Sequence, residues 1–450
     1  MQATALRKRH NRQTARNSRT TVRPKNIGEI VAVLTNPRQF PTPIRPVGSN
    51  SASTRCTHTQ TGTALDMTAM NKLLKLTTET VTVQAGMRLC DLTERLAADG
   101  FELIGGYEFP DRTVGGAISS GSLTAAIPDE GGHLASSVRH ITMITAKGKK
   151  LEIGENLRDL MRLARLSYGL LGVICLVELR IRPIRPYMIR NRKMKFDELS
   201  RLIPVFARVN AGVKISLLPF RDRAFVELRQ PGFVGQSASK LPWKIKDWAC
   251  NTVLPKVVHS MGRALPIGKI RGPLIDRVSE ATESLVNKGL LESGSNAAEQ
   301  TGQFMKHSRS NRIVYCTWLF PSSKFDCVVP AYRNFCRRHY QTSKYRCDLP
   351  AIAYRINRDQ HSLLSPTVDE SVFALNVRTT NTGGWENFLI EYAEFANRYD
   401  GIPLFNQTKG FTAVYAAEVF GKRLEQFQKM RRRLDPENRL LNQFFAEHVG

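Results

Sequence analysis

Two stretches of the chain carry residue types that let a backbone close on a phosphate. The first runs Arg45-Pro46-Val47-Gly48-Ser49-Asn50-Ser51, the second Thr113-Val114-Gly115-Gly116-Ala117-Ile118-Ser119-Ser120-Gly121. Glycine removes the Cβ that blocks close approach, successive amides can form an anion-binding nest, and serine hydroxyls add donors. Neither stretch is a P-loop, and neither fits the GxGxxG dinucleotide fingerprint. Taken singly, each also reads as an ordinary glycine-serine surface turn. The eight cysteines include no CxxC pair. Cys316, Cys327, Cys336 and Cys347, with His339 nearby, are spaced more widely than zinc ligands usually are. Reduced thiols and no metal are expected.

The elements that must position these turns are legible from periodicity. Ile27, Ile30, Val33 and Leu34 fall on one side of a helix over 26–34, and Val81, Val83 and Ala85 alternate as a half-buried strand. Residues 91–98 read as a helix closed by Gly100, residues 140–145 and 150–153 as a hairpin turning at Lys147-Gly148, and 172–181 as a long strand. Pro183 and Pro186 mark a domain boundary. Beyond it, strands are expected over 213–218, 224–228, 312–320, 351–356 and 371–378. Helices are expected over 385–399 and 422–434. Strands grouped with helices in this way predict an α+β domain on an antiparallel sheet.

Length, at 450 residues, leaves room for two domains, and 42% hydrophobic with 23% charged residues is a globular composition. No apolar run reaches the roughly 18 residues of a membrane-spanning helix, and the N-terminus has no secretory signal core. The expectation is a cytoplasmic protein, with peripheral attachment to the inner membrane as one further reading. The formal charge of +27 is the outlier. It favours anionic partners, and a merely basic solvated surface is the alternative. Residues 1–28 hold no acid, so residues 1–21 are read as a basic flexible tail, an organelle transit peptide being the other reading. Residues 230–272 hold one acid, Asp247, among many lysines and arginines, with Trp243 and Trp248. That mixture suits an anionic membrane surface or a lid over a lipid-linked or phosphorylated substrate; a surface helix pair packed on its own domain accounts for it equally. No aromatic-interleaved nucleic-acid motif is present, so no specific nucleic-acid partner is expected.

In order and spacing, the run from Arg45 through Asp66-Met67, Val81–Gly86 and Thr113–Gly121 to His140–Gly148 and Tyr168–Ile174 resembles the flavin domain of the vanillyl-alcohol oxidase/p-cresol methylhydroxylase superfamily. The tail Gly401-Ile402-Pro403-Leu404-Phe405-Asn406-Gln407, with Arg433–Asn442, is similar to the sugar-lactone and polyol oxidases, which include the gulonolactone, arabinonolactone and alditol oxidases. The resemblance implies a two-subdomain FAD-binding domain over 22–186, a substrate (cap) domain over 187–400, and a segment over 401–450 that returns to the FAD domain. It implies FAD contacts from Arg45, Gly48, Ser49, Asn50, Ser51, Thr113, Gly115, Gly116, Ser119, Ser120 and Gly121, and backbone contacts from Gly172, Val173 and Ile174. The activity it implies is oxidation of a CH–OH group on a small hydroxylated substrate, a sugar, polyol or aldonolactone, by hydride transfer to flavin N5.

Departures from the family pattern limit that transfer. The histidine that attaches FAD covalently in several members is replaced by Ser51 or Ala52, so non-covalent FAD is expected. The Thr-His-Gly run of the second turn is Ser122-Leu123-Thr124 here. A Glu-x-Arg pair aligns with Ala353-Tyr354-Arg355, a histidine with Asn376, and a tail lysine with Gln407, Lys409 lying two residues on. Arg355, Asn376, Gln407 and Lys409 are therefore the catalytic candidates, and Arg355 or Lys409 could stabilise reduced flavin electrostatically. An arginine paired with an acid is the structural alternative for Arg355. Tyr354 and His361 are the candidate bases. Two other readings stand beside the sugar oxidase: a lipid-linked sugar oxidase similar to decaprenyl-phosphoryl-ribose oxidase, and a non-catalytic basic flavoprotein binding an acidic partner.

Overall fold

The computed structural model describes residues 20–105, 111–122, 132–231, 245–246, 248–264, 268–287, 297–298 and 313–450. Most of the basic tail, the insert residues Lys240, Trp243, Lys244 and Asp247, and Leu123-Thr124 lie outside the described residues. The described residues form an α+β protein with three sheets. β1 (Thr20–Val22), β2 (Ile44–Val47) and β3 (Thr63–Asp66) make a small parallel sheet with β3 in the middle. Thr20 and Thr21, assigned to the tail by sequence, thus belong to a strand.

The second sheet is antiparallel and contains β4 (Leu73–Leu76), β5 (Thr80–Gln84), β6 (Phe101–Leu103), β7 (Val138–Ile144), β8 (Lys150–Gly154) and β9 (Val173–Pro183). β9 pairs with β5, β6 and β7. The third sheet follows directly after Pro183. It comprises β10 (Pro186–Met194), β11 (Gly212–Leu218), β12 (Arg223–Pro231), β13 (Ala297–Ala298), β14 (Val314–Pro321), β15 (Ala351–Ile356), β16 (Val372–Thr379) and β17 (Ile402–Pro403), in the order β13-β10-β12-β11-β15-β16-β14-β17.

Strand alternation gives this third sheet two different faces. Ile215, Leu217, Cys316, Trp318, Phe320, Ala353, Phe373, Leu375 and Val377 join the largest core cluster, beside apolar residues of the helices Phe196–Arg208, Phe325–Ser343 and Trp385–Arg398. The helices supply matching stripes. Phe196, Leu199, Ile203 and Phe206 are buried at helical spacing in the first, and Trp385, Phe388, Leu389, Tyr392, Phe395 and Ala396 in the last. Each such leucine, isoleucine or phenylalanine contributes about 1.5–3 kcal/mol on burial. The other face carries Tyr315, Leu319, Ile352, Tyr354, Ile356, Val372 and Ala374, packed with Leu404 of the C-terminal segment.

The insert is tied to the sheet by buried charge. Lys246 Nζ donates to Glu227 and, at 2.9 Å, to Asn287 Oδ1, while Arg229 Nε donates to Glu227 Oε1 at 2.6 Å. Burial alone would raise the Glu227 carboxyl, yet Lys246, Arg229 and Lys214 hold it well below the usual carboxylate range. Pro255 is the second residue of the helix Leu254–Ala264, which continues directly from the π-helical turn Trp248–Val253.

Candidate functional site

The two glycine-serine turns meet at one groove. The first follows β2, and Asn50 takes a left-handed φ of 55° there. The second begins with Thr113, whose Oγ1 accepts from Gly116 N at 3.3 Å and caps the short helix Val114–Ser119. A Cβ added at Gly48 would lie 2.1 Å from Thr113 Oγ1 and 2.9 Å from its Cγ2. Only glycine lets these turns touch, and the contact leaves bare backbone facing the groove.

The groove encloses about 790 Å3 of space open to solvent. Arg45, Gly48, Ser49, Asn50, Ser51, Thr113, Gly115, Gly116, Ser119, Ser120, Gly172 and Ile174 line it, with Ala52 and Asn406. Two of the expected cofactor residues do not. Gly121, with φ 66°, closes the second turn behind the lining residues. Val173 turns its side chain the other way, into a core with Ile144 and Leu440, because β9 alternates and Gly172 and Ile174 take the groove side. Arg45 lines the groove but spends its guanidinium on backbone: it donates to Tyr168 O at 2.5 Å and Leu440 O at 2.7 Å. Burial lowers that guanidinium to about 10.

Arg112 was missed by the sequence reading. It lines the groove, is buried, and bridges both turns, with Nε donating to Ser51 Oγ and Nη1 to Gly121 O, each at 3.3 Å. The signal for it was a lone basic side chain immediately before the capping threonine. Asn406 was the other omission. It lines the groove, donates Nδ2 to Ser120 Oγ at 3.3 Å, and leaves its buried Oδ1 without a partner.

The C-terminal segment is laced onto the first turn. Ser53 N donates to Asn406 O (3.0 Å), Ser53 Oγ to Gln407 O (2.9 Å) and Thr54 Oγ1 to Phe405 O (2.6 Å). Asn442 Nδ2 donates to Arg55 O, Cys56 O and His58 O. Asp435 accepts from Arg439 N and Leu440 N, folding the turn that presents the Leu440 carbonyl to Arg45. From the third sheet, Tyr315 Oη donates to Ser51 O at 2.8 Å, so the Tyr315 face of that sheet is the one turned toward the groove.

Two of the four catalytic candidates come together and two do not. Asn376 Nδ2 donates to Thr317 Oγ1 at 2.7 Å, and Thr317 Oγ1 donates to Gln407 Oε1 at 3.0 Å. Asn376 and Thr317 face each other across β16 and β14 on the groove side of the sheet. The expectation for Arg355 is corrected. It is one residue out of phase with Tyr354, on the helix side, and donates to Phe206 O, Val209 O and Ala211 O at the end of the helix Phe196–Arg208. Burial lowers its guanidinium to about 10. It caps a helix rather than facing flavin, and its partners are carbonyls rather than an acid. Lys409 lies outside the groove lining, with its backbone amide on Cys316 Sγ at 3.4 Å. His361 is on a loop with its ring exposed and its Nδ1 3.0 Å from Asp359 Oδ1, whereas Tyr354 keeps the groove-side face.

A bare-backbone cleft with a buried arginine across it, roofed by an antiparallel sheet and clamped by the chain's own C-terminus, suits a dinucleotide diphosphate. Residues 19–154 match the FAD binding domain, and FAD is the cofactor this architecture holds. Residues 177–448 match D-arabinono-1,4-lactone oxidase, more than half of the chain, and the protein belongs to that family. Among relatives, the chain is 35% identical to L-gulonolactone oxidase of Bos taurus over 163 residues, 36% of this chain and 36% of that protein. It is 30% identical to D-arabinono-1,4-lactone oxidase of Saccharomyces cerevisiae over 166 residues, 36% of this chain and 31% of that protein. The match therefore spans about a third of each relative. Among solved structures, cholesterol oxidase from Brevibacterium sterolicum superposes with a TM-score of 0.74 at 14% identity, covering 96% of this chain and 94% of that one. For 6-hydroxy-D-nicotine oxidase from Arthrobacter nicotinovorans the TM-score is 0.62 at 16% identity, covering 93% and 90%. These two likenesses concern the fold.

Proposed function

We propose that the protein is an FAD-dependent oxidoreductase that oxidises a CH–OH group of a sugar, polyol or aldonolactone-like substrate. The observation that carries this reading is the relay Asn376–Thr317–Gln407 beside the groove. Its outer atoms, Asn376 Oδ1 and Gln407 Nε2, are buried and have no protein partner. An unmet acceptor and an unmet donor in one relay match a hydroxyl and a carbonyl or ring oxygen, the groups that a hydroxylated lactone offers. When bound, FAD supplies the two-electron acceptor for the hydride leaving that carbon. The amides orient the substrate; neither is a base, and Tyr354, one of the candidate bases, shares that face of the sheet with Tyr315 and Lys214. Ser51 and Ala52 line the groove where a tethering histidine would stand, and neither forms a bond to flavin, which supports non-covalent FAD.

The test is anaerobic addition of aldonolactones, polyols and free sugars to the yellow holoprotein. Bleaching of the flavin absorbance by a member of this panel is expected, and acid precipitation should leave FAD in the supernatant. Flavin that stays oxidised with every hydroxylated compound tested refutes the substrate class. A lipid-linked sugar is a second reading, favoured by the exposed apolar helices of the insert. It predicts bleaching only when a polyprenyl-phosphoryl tail is attached.

A further inference from the structure

The insert has two apolar faces, and its own domain uses just one. In the helix Leu254–Ala264, Leu254 and Val258 are buried; in the helix Gly268–Ser284, so are Ile275 and Ser279, with Glu283 and Val286 continuing that inner row. Ile270, Leu274, Arg277, Ala281 and Leu285 form a different row, at spacings of four, three, four and four, and every one is exposed. Ile270 is 58% exposed and Leu285 71%. At 1.5 Å per residue this row runs about 22 Å along the surface. Trp248, 60% exposed, and Val257 add exposed apolar side chains on the two preceding helical segments, which pack against this helix and each other. Of the eleven exposed large hydrophobic residues among the described residues, six fall between Ile245 and Leu285. Scattered single exposures need no explanation, but this concentration does.

Charge selects the partner. The acids of these helices are turned inward or paired: Asp276 with Arg346, Glu280 with Lys193 and Arg221, and Glu283 buried against Asn287. Lys256, Arg263 and Arg277 are exposed. The outward charge of the patch is therefore positive among the described residues, in a chain of formal charge +27. Protein interface cores are depleted of lysine, whereas a helix lying in a bilayer interface combines tryptophan and leucine with lysine and arginine.

We propose that the outer face of the described residues between 245 and 285 docks on an anionic lipid bilayer, with Ile270, Leu274 and Leu285 entering the headgroup boundary and Trp248 at headgroup level. This surface lies on the outside of the insert, while Lys246, Asn287 and Glu227 hold the inside to the cap sheet. Docking therefore fixes how the cap meets the membrane without using any groove residue.

The FAD-loaded chain is sedimented with vesicles of phosphatidylcholine alone and of phosphatidylcholine mixed with phosphatidylglycerol. Binding that requires phosphatidylglycerol and weakens with salt is expected. Lys256→Glu/Arg263→Glu/Arg277→Glu should weaken partitioning at least roughly tenfold. Ile270→Ser/Leu274→Ser/Leu285→Ser should do the same, with the flavin spectrum unchanged in both. In the unaltered protein, brominated lipid tails should quench tryptophan emission, and Trp248→Phe should reduce that quenching. This last reading stands even if the triple variants fail to fold. Failure to bind phosphatidylglycerol vesicles overturns the proposal, as does binding that survives both triple variants. A concentration-dependent dimer in sedimentation velocity, abolished by the serine variant, overturns it in favour of a second copy of the chain.

Discussion

Gly48→Ala tests whether contact between the two turns builds the cofactor groove. The new methyl would sit 2.1 Å from Thr113 Oγ1 and 3.0 Å from Thr113 Cβ, well inside van der Waals contact. Thr113 is buried, and its hydroxyl caps the helix Val114–Ser119, so rotating it away forfeits a cap of about 1 kcal/mol. If the backbone moves instead, overpacking costs about 1–3 kcal/mol, and the displaced amides are those that would face the diphosphate. FAD affinity of Gly48→Ala should therefore fall roughly 10- to 100-fold, at about 1.4 kcal/mol per factor of ten. The rescue is specific. Thr113→Ala removes the two nearest atoms, Oγ1 and Cγ2, and leaves only the 3.0 Å contact. The double variant should bind FAD better than the two separate losses predict, by about 1 kcal/mol or more. The assay is flavin fluorescence quenching on titrating apoprotein with FAD. If Gly48→Ala binds as wild type, or if the two losses simply add, the contact does not shape the groove.

Three further outcomes follow from the same geometry. Arg45→Met orphans the buried carbonyls of Tyr168 and Leu440 while relieving the burial of a guanidinium, so melting should show a net loss of about 2–4 kcal/mol and weaker FAD retention. Thr317→Val, close in shape, breaks both relay bonds; turnover should fall by at least roughly tenfold with FAD affinity unchanged, which titration and steady-state kinetics separate. His133 is buried with neither ring nitrogen partnered, and burial lowers its pKa, an effect that nearby Asp359 opposes. The folded state then binds fewer protons than the unfolded chain below about pH 6.5, so stability should decline as pH falls from that value, and His133→Phe should flatten this slope in denaturant titrations.

How much was legible in the sequence depended on whether the cause was local. The turns announced themselves because glycine and serine types carry their own physics, and helix 422–434 was readable to the residue because Gly421 and Asp435-Pro436 bracket it. Arg355 was misassigned because a strand shows every second side chain to the same side, and a one-residue slip moves a residue from flavin side to helix side. Register comes from pairing Ala353 with Ile215 and Leu375, partners far away in sequence. The same alternation turns the Val173 side chain into the core, which leaves its backbone as the expected contact. Arg112 was illegible because its role is a bridge to Ser51, 61 residues earlier. The tryptophan and lysine mixture of residues 230–272 was legible as composition, but the outer row runs past that bound to Leu285, and which stripe is buried depends on the sheet beneath.

The C-terminal clamp links the groove and the proposed substrate relay in one element. Leu440 O reaches Arg45 beside the first turn, Asn406 reaches Ser120 on the second, and Gln407, the next residue, joins the cap through Thr317. A strand of the cap also closes on the first turn through Tyr315. Loosening the tail should therefore weaken FAD binding and substrate orientation together, which neither half alone would do. Asn442→Ala is the perturbation of choice, because Asn442 neither lines the groove nor joins the relay, yet it donates to three carbonyls of the 55–58 loop, whose Cys56 lines the groove, and caps the last helix. It should raise FAD Kd and substrate KM in parallel. A change in Kd with KM fixed would mean that the tail serves the flavin alone, and that the relay is held by the cap sheet.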